Sequence, residues 1–233
     1  MNWHNSSILI FRMEAMNLYF VRHGKTEWNL ESRYQGAGGD SPLLPQSYTE
    51  MALVGKYLNP VKFKHIYASP IKRTRITAEH IKAELNNNVP LSLDNRLEEF
   101  KLGKMEGMKF EEAKEQFPET FDNFRNHPDL YDPSEIGGET FPELIKRMRS
   151  KVMEVAKNFN DDDNILFVSH GAALNALIND LVGVPLKDLR KRGGLANTST
   201  TIIETHDSGR TFTMKQWNET GYLKHKLDKS DLV

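Results

Sequence analysis

The chain contains no cysteine, which excludes disulfides, thiolate metal sites and a cysteine nucleophile and makes a reducing compartment the simplest setting. Long apolar runs are also missing. Ile8-Leu9-Ile10-Phe11, the longest near the start, is too short for a signal-peptide core and has no basic flank, and no later stretch is long enough to span a bilayer. These absences imply a cytoplasmic protein without a membrane partner. Net charge is scarce too, since 31 basic residues face 32 acidic ones. No broad basic field exists to draw nucleic acid or an anionic membrane, so any attraction for phosphate must be local. Internal repeats, coiled-coil heptads and low-complexity linkers are absent as well, and nothing in the sequence fixes an oligomeric state.

What remains is ordinary globular composition. With 38% apolar and 27% charged residues in 233, the chain has enough apolar material for a sizeable core and is most simply one α/β domain. We take residues 1–15 as an N-terminal extension, with Met13 and Met16 as alternative starts, and residues 16–233 as that domain. The chain is organised around Leu18-Tyr19-Phe20-Val21-Arg22-His23-Gly24-Lys25-Thr26-Glu27-Trp28-Asn29. Four apolar residues suit a buried strand, and Arg-His-Gly ends it in a polar turn, the place where open α/β sheets collect ligands. Ile165-Leu166-Phe167-Val168 followed by Ser169-His170-Gly171 repeats this design, as expected of two parallel strands that end side by side.

Between them, Arg33 to Leu43 is a Gly-rich loop, and Met51 to Leu58 has the spacing of a helix stopped by Asn59-Pro60. His65 to Ser69 reads as a strand, and Ser69-Pro70 opens a helix bearing Arg73, whose N-terminus suits an anion. Lys72 and Arg75 read as a solvated face, and His80 as a surface or packing residue. Met108 to Ile136, broken by three prolines and rich in aromatics, fits two or three short helices. A long helix after Gly137-Gly138-Glu139 carries Phe141, Leu144, Ile145, Met148, Val152, Val155, Ala156 and Phe159 on one stripe. Thr198 to Glu204 and Arg210 to Trp217 read as a hairpin around His206-Asp207-Ser208-Gly209. The tail from Asn218 is polar and lysine-rich.

Four blocks, Leu-Tyr-Phe-Val-Arg-His-Gly-x-Thr-x-x-Asn at 18–29, Ser-Pro-Ile-Lys-Arg-Thr-x-x-Thr-Ala at 69–78, Leu97-Glu98-Glu99 with Gly103 and Gly107, and Ser-His-Gly at 169–171, together resemble the histidine phosphatase superfamily, the phosphoglycerate-mutase-like proteins. The resemblance implies an α/β fold in three layers, a mostly parallel central sheet with helices on both faces and a small helical cap inserted at about 105–136. It implies His23 as the phosphorylated nucleophile, Arg22 and Arg73 as phosphate grips, His170 as a further donor and Glu99 as the acid that protonates the leaving oxygen. Thr26, Asn29, Gln35, Gly36 and the Gly171 N–H follow as substrate contacts. The pattern departs at Pro45-Gln46-Ser47, where a Gly is common. Glu139 resembles a loop residue beside the site, although helix-dipole compensation explains an early Glu equally well. Asp122, Asn123, Arg125 and Asn126 are the polar cap residues placed to look inward.

Such a set supplies phosphoryl transfer with a nucleophile, fixed positive charge and a proton for the leaving group. No cofactor and no metal are implied, and the partner is a small phosphomonoester. A His/Glu metal site is the physical alternative; the resemblance accounts for each residue without one. Mutases of this fold usually carry Arg after the acid and an Arg pair in the cap, whereas Phe100 follows Glu99 here and Arg125 is the only Arg between Glu99 and Glu139. Hydrolysis is therefore ranked above mutase activity on phosphoglycerate. A non-catalytic phosphate-binding protein on the same fold is the alternative of another class.

Overall fold

The computed structural model describes residues 15–232; the N-terminal extension expected at 1–15 lies, apart from Ala15, outside them. Strands β1 (Met16–Arg22), β2 (Phe63–Ala68), β3 (Leu91–Leu93), β4 (Asn164–Ser169), β5 (Thr200–Thr205) and β6 (Thr213–Glu219) form one sheet in the order β3-β2-β4-β1-β5-β6. The pairs β2–β3, β2–β4 and β1–β4 are parallel, and β5 and β6 close the edge antiparallel. The helices are α1 (Glu27–Leu30), α2 (Pro45–Leu58), α3 (Lys72–Ala83), α4 (Phe110–Gln116), α5 (Pro118–Asn126), α6 (Phe141–Asn158) and α7 (Gly171–Leu181). None is long and apolar enough to cross a membrane among the described residues.

Alternation along the two central strands builds the three layers. Leu18 and Phe20 of β1 and Ile165 and Phe167 of β4 face a core shared with α6 and α7. Val21, Leu166 and Val168 face a second core containing Val54 and Leu58 of α2 and Ala78 and Ile81 of α3. Because side chains alternate with period two, a one-residue slip would drive each residue into the opposite core. Burial of large apolar side chains at roughly 1.5–3 kcal/mol apiece makes such a slip prohibitive.

The expected stripe on α6 is present except at Ile145 and Phe159, which are only partly buried, and Lys151 joins it instead. Its ammonium lies 3.8 Å from the Tyr67 ring centre and pairs with Glu154 and Asp94, so its charge is compensated where its stem is buried. Pro45, which departs from the family pattern, is the first residue of α2, the position where a missing N–H costs nothing. That helix begins earlier than the apolar spacing from Met51 indicated. Between 105 and 136 stand two helices, α4 and α5, whose aromatic side chains Phe110, Phe121 and Phe124 pack around Tyr34.

Candidate active site

Parallel register brings the two histidines together. Arg22 is paired with Ser169 across β1 and β4, and the His23 N–H donates to the Ser169 carbonyl at 3.0 Å. The rings of His23 and His170 consequently lie 5.3 Å apart, edge to face. Their hydrogen bonds differ. His23 Nδ1 is 2.8 Å from the Gly24 carbonyl, which can only accept, so Nδ1 carries the hydrogen and Nε2 keeps a free lone pair. His170 Nε2 meets the Ser69 hydroxyl at 2.9 Å, and its Nδ1 is buried without a partner. Ser69 Oγ also receives the Ile71 N–H, and its own hydrogen is free to turn to Nε2, the arrangement in which His170 Nδ1 carries a hydrogen.

Two guanidiniums flank this pair. Arg22, almost wholly buried, donates through Nη1 to the carbonyls of Leu195 at 2.6 Å and Asp231 at 2.8 Å. The second of these belongs to the tail, which Lys25 ties down through a 2.8 Å ion pair with the Asp231 carboxylate. Arg73 donates to the carbonyls of Gly36 and Gly39, each at 2.8 Å, and to Asp40 at 3.1 Å. Both Nε–H groups are buried and unpartnered. Buried polar groups are nearly always satisfied. Three orphaned nitrogens, Arg22 Nε, Arg73 Nε and His170 Nδ1, around His23 therefore mark a place prepared for an acceptor-rich group.

Electrostatics point the same way. Burial, followed by the Arg73 and Arg22 charges, holds the His23 imidazole well below its ordinary pKa, and burial, followed by Arg73, His23, Arg147 and Arg22, does the same to His170. Both rings are neutral at neutral pH. Burial also pulls Arg22 down to about 10, with Glu99 and Asp231 opposing, so this guanidinium stays charged. Gly171 is required by the close approach of Arg22: a Cβ there would stand 2.9 Å from Arg22 Nε.

Glu99 faces the cleft as an acceptor. Its Oε1 takes the N–H groups of Phe100 at 3.0 Å and Ala173 at 2.8 Å, and Oε2 takes that of Ala172 at 3.2 Å. A carboxylate offers about four lone-pair positions, so the one left vacant is on Oε2. The loop carrying Glu99 is clipped by Arg147, which donates to the carbonyls of Arg96, Glu98 and Glu99 and pairs with both Glu139 oxygens at 2.6 and 2.8 Å. Sequence reasoning passed over Arg147, which falls on the polar side of α6. It also left Glu139 between substrate contact and dipole compensation; its partner is Arg147, and the acid in the first turn of α6 is Glu143, in a capping box with Thr140.

A cleft of about 430 Å³ is lined by Arg22, His23, Arg73, Glu99, Gly171 and Ala172, with Gln35 and Gly36 from the Gly-rich loop and Arg33, Tyr34, Leu102, Phe110 and Phe124 around the rest. Of the expected contacts, Gln35, Gly36 and Gly171 stand in its wall. Thr26 and Asn29 are elsewhere. They form the capping box of α1, and Gln35 Nε2 donates to Thr26 Oγ1 at 2.9 Å, so both shape the loop from behind. Gly36, at a φ of +64°, adopts a conformation that favours glycine and turns its carbonyl to Arg73. Among the polar cap residues, Asp122 and Asn126 bond to each other at the surface and Asn123 to the Leu130 carbonyl, while Arg125 lies over the rings of Phe110 and Phe121.

Residues 18–220 match the family model of the histidine phosphatase superfamily, branch 1. The chain belongs to this superfamily. A relative named "Probable phosphoglycerate mutase GpmB" from Erwinia tasmaniensis is 31% identical over 197 residues, covering 83% of this chain and 86% of its own. A protein of the same name from Salmonella paratyphi A is 29% identical over 208 residues, 89% of this chain and 90% of its own. Among solved structures, Bacillus stearothermophilus YhfR superposes with a TM-score of 0.81 at 33% identity, covering 89% of this chain and 98% of its own. A mycobacterial glucosyl-3-phosphoglycerate phosphatase in complex with VO3 gives 0.78 at 25% identity, covering 88% and 99%. The fold expected from the sequence is thus the fold found.

Proposed function

We propose that the chain is a phosphomonoester hydrolase that passes the phosphoryl group through His23. The observation that carries this is the tautomer: Nδ1–H is committed to the Gly24 carbonyl, leaving Nε2 as a neutral nucleophile beside two guanidiniums with unused N–H groups. Arg22, Arg73 and His170 Nδ1–H stabilise the equatorial oxygens, a task worth about 10³–10⁵-fold for one transition-state Arg. Glu99 gives the Oε2 proton to the leaving alkoxide as His23 forms its bond to phosphorus, and the carboxylate so formed then takes a proton from the water that attacks the phosphohistidine. Positive charge comes from the two arginines, so turnover should survive EDTA.

Naming of a 25% identical structure as a phosphatase supports hydrolysis, as does Phe100, fully buried in the core where a mutase-type Arg would follow the acid. Mutase activity is the second reading, favoured by the names of the GpmB relatives and by one structural correction. The cap Arg pair is missing within 99–139, but Arg190, from outside that range, lines one cavity together with Arg125. Inorganic phosphate release from a panel of phosphomonoesters in EDTA, run beside conversion of 3-phosphoglycerate to 2-phosphoglycerate with the bisphosphate primer, decides between them. Release exceeding isomerisation by a wide margin supports hydrolysis. Isomerisation without release overturns it.

A further inference from the structure

Four residues other than glycine stand at positive φ among the described residues: Ser32, Thr198, Ser208 and Asn218. Thr198 alone of the four is β-branched. At a φ of +56° it occupies the left-handed region, which a branched side chain opposes most strongly, and it does so two residues before β5, where the sequence pattern places the start of the strand. Strain of this kind persists only where neighbouring groups hold it.

The hold comes from two sides. The Tyr222 hydroxyl donates to the Thr198 carbonyl at 2.7 Å. The Thr198 hydroxyl, fully buried, lies 2.6 Å from the Asn197 carbonyl and 3.2 Å from Oε2 of Glu50, a buried carboxylate of α2. On its remaining side Thr198 faces the candidate nucleophile. The Arg22 N–H donates to the Ser199 carbonyl at 3.3 Å, while the Thr198 N–H reaches two consecutive carbonyls, that of Arg22 at 3.2 Å and that of His23 at 3.4 Å. Thr198 and Ser199 thus oppose the single residue Arg22, the pattern of a β-bulge whose first, left-handed position is ordinarily glycine. Glycine would adopt this φ freely, but it would have nothing to offer Glu50. The Asn197 side chain adds a bond from Nδ2 to the His23 carbonyl at 3.0 Å, and β4 grips the other side of the turn through the His23 N–H.

Bulges beside active sites re-aim a side chain. We propose that Thr198 is a positioning residue for His23: the bulge, kept left-handed by Tyr222 and Glu50, fixes the carbonyls of Arg22 and His23 and through them the approach of His23 Nε2 to phosphorus. This rests on the reading of His23 as the nucleophile. The Arg22 guanidinium is anchored separately, by the carbonyls of Leu195 and Asp231, so the effect falls on bond formation and spares phosphate binding. A misplacement of about 1 Å costs on the order of 10²-fold in rate.

Thr198→Val keeps the branch and removes the hydroxyl, leaving the strain unopposed on the α2 side. In a single turnover its rate of His23 phosphorylation should fall at least about tenfold, while calorimetric affinity for inorganic phosphate stays within about threefold. Thr198→Asn, a residue at home in the left-handed region with an amide to offer Glu50, should recover most of the rate and melt above the wild type. Tyr222→Phe should show a smaller loss of the same kind. Hydrogen exchange at the His23 and Gly24 amides needs no turnover; it should quicken at least about tenfold in the valine variant and return towards the wild type in the asparagine variant. A valine variant with unchanged labelling and exchange overturns the proposal. So does an asparagine variant as slow as the valine one, or a parallel loss of phosphate affinity, which marks damage to the whole cleft. Wild-type protein that forms no phosphohistidine, yet shows the expected exchange pattern, would defeat the nucleophile reading and leave the hold of Thr198 on the turn supported.

Discussion

The ends of β1 and β4 are two versions of one design, an apolar strand that stops at a histidine followed by glycine, yet the two imidazoles are prepared for different work. His23 is anchored through Nδ1 to the carbonyl of the next residue, so its far nitrogen is a bare lone pair facing the cleft. His170 is fully buried and anchored through Nε2 to Ser69, so the nitrogen it has left is Nδ1. The partner on one ring nitrogen decides what the other can do. Strand register makes the histidines neighbours, but hydrogen bonding leaves a different ring nitrogen without a partner on each, which is what the proposed roles of nucleophile and donor rest on.

The largest effect follows from exchanging these roles. His23→Asn should abolish phosphoenzyme formation, whereas His170→Asn should slow phosphorylation about 10²–10³-fold, as for loss of one transition-state donor, and still label His23. Measured by rapid quench with a labelled ester, similar residual labelling in both variants would erase the distinction.

A second test concerns the clip on the acid. Arg147→Met frees the loop of Glu99, and because a positioned general acid is worth about 10²–10⁴-fold, the phosphorylation rate on an alkyl phosphate should fall by at least about tenfold. The loss should be much smaller on a nitrophenyl ester, whose leaving group needs no proton. Equal losses would mean that Arg147 acts on the fold and not on Glu99.

The tail offers a smaller effect. Asp231→Asn weakens the ion pair with Lys25 that seats the carbonyl receiving Arg22, and loss of one such contact, roughly 1 kcal/mol, should lower kcat/KM several-fold. Inorganic phosphate should protect the variant less than the wild type in thermal melts. An unchanged kcat/KM would detach the tail from the site.

The last effect is on stability in acid and leaves activity at neutral pH untouched. His23 and His170 are neutral in the folded chain, with pKa values well below the ordinary 6.5. Below about pH 6.5 the unfolded chain gains protons that the folded chain refuses. Stability is therefore full above that value and falls as pH drops, by up to about 1.4 kcal/mol per pH unit for each histidine. Urea unfolding should show a shallower fall in His170→Asn. A slope equal to that of the wild type would contradict the assigned neutrality.

How far the sequence could reveal this is clear from particular residues. The strands ending at Arg22 and Ser169, the loop of Gly36 and the helix of Arg73 were readable because apolar runs, glycine and helix-start signals are local. Strand β3 escaped notice: Leu91-Ser92-Leu93 is too short to show a period. Arg147 and Arg190 escaped because their roles arise from distant partners, the backbone of 96–99 and the rings of Phe124 and Phe141. Thr26 and Asn29, taken as substrate contacts from the resemblance, turned out to cap a helix one turn long. The tail read as a polar end, yet its Asp231 carbonyl supports Arg22; no local pattern announces a backbone acceptor.

The most direct measurement is the position of the phosphoryl group on the protein. After a rapid alkaline quench with a phosphomonoester, peptide mapping and phosphorus NMR should find phosphohistidine at His23 and bonded through Nε2, because Nδ1 is occupied by the Gly24 carbonyl. Label on His170, or on Nδ1 of His23, would contradict the account.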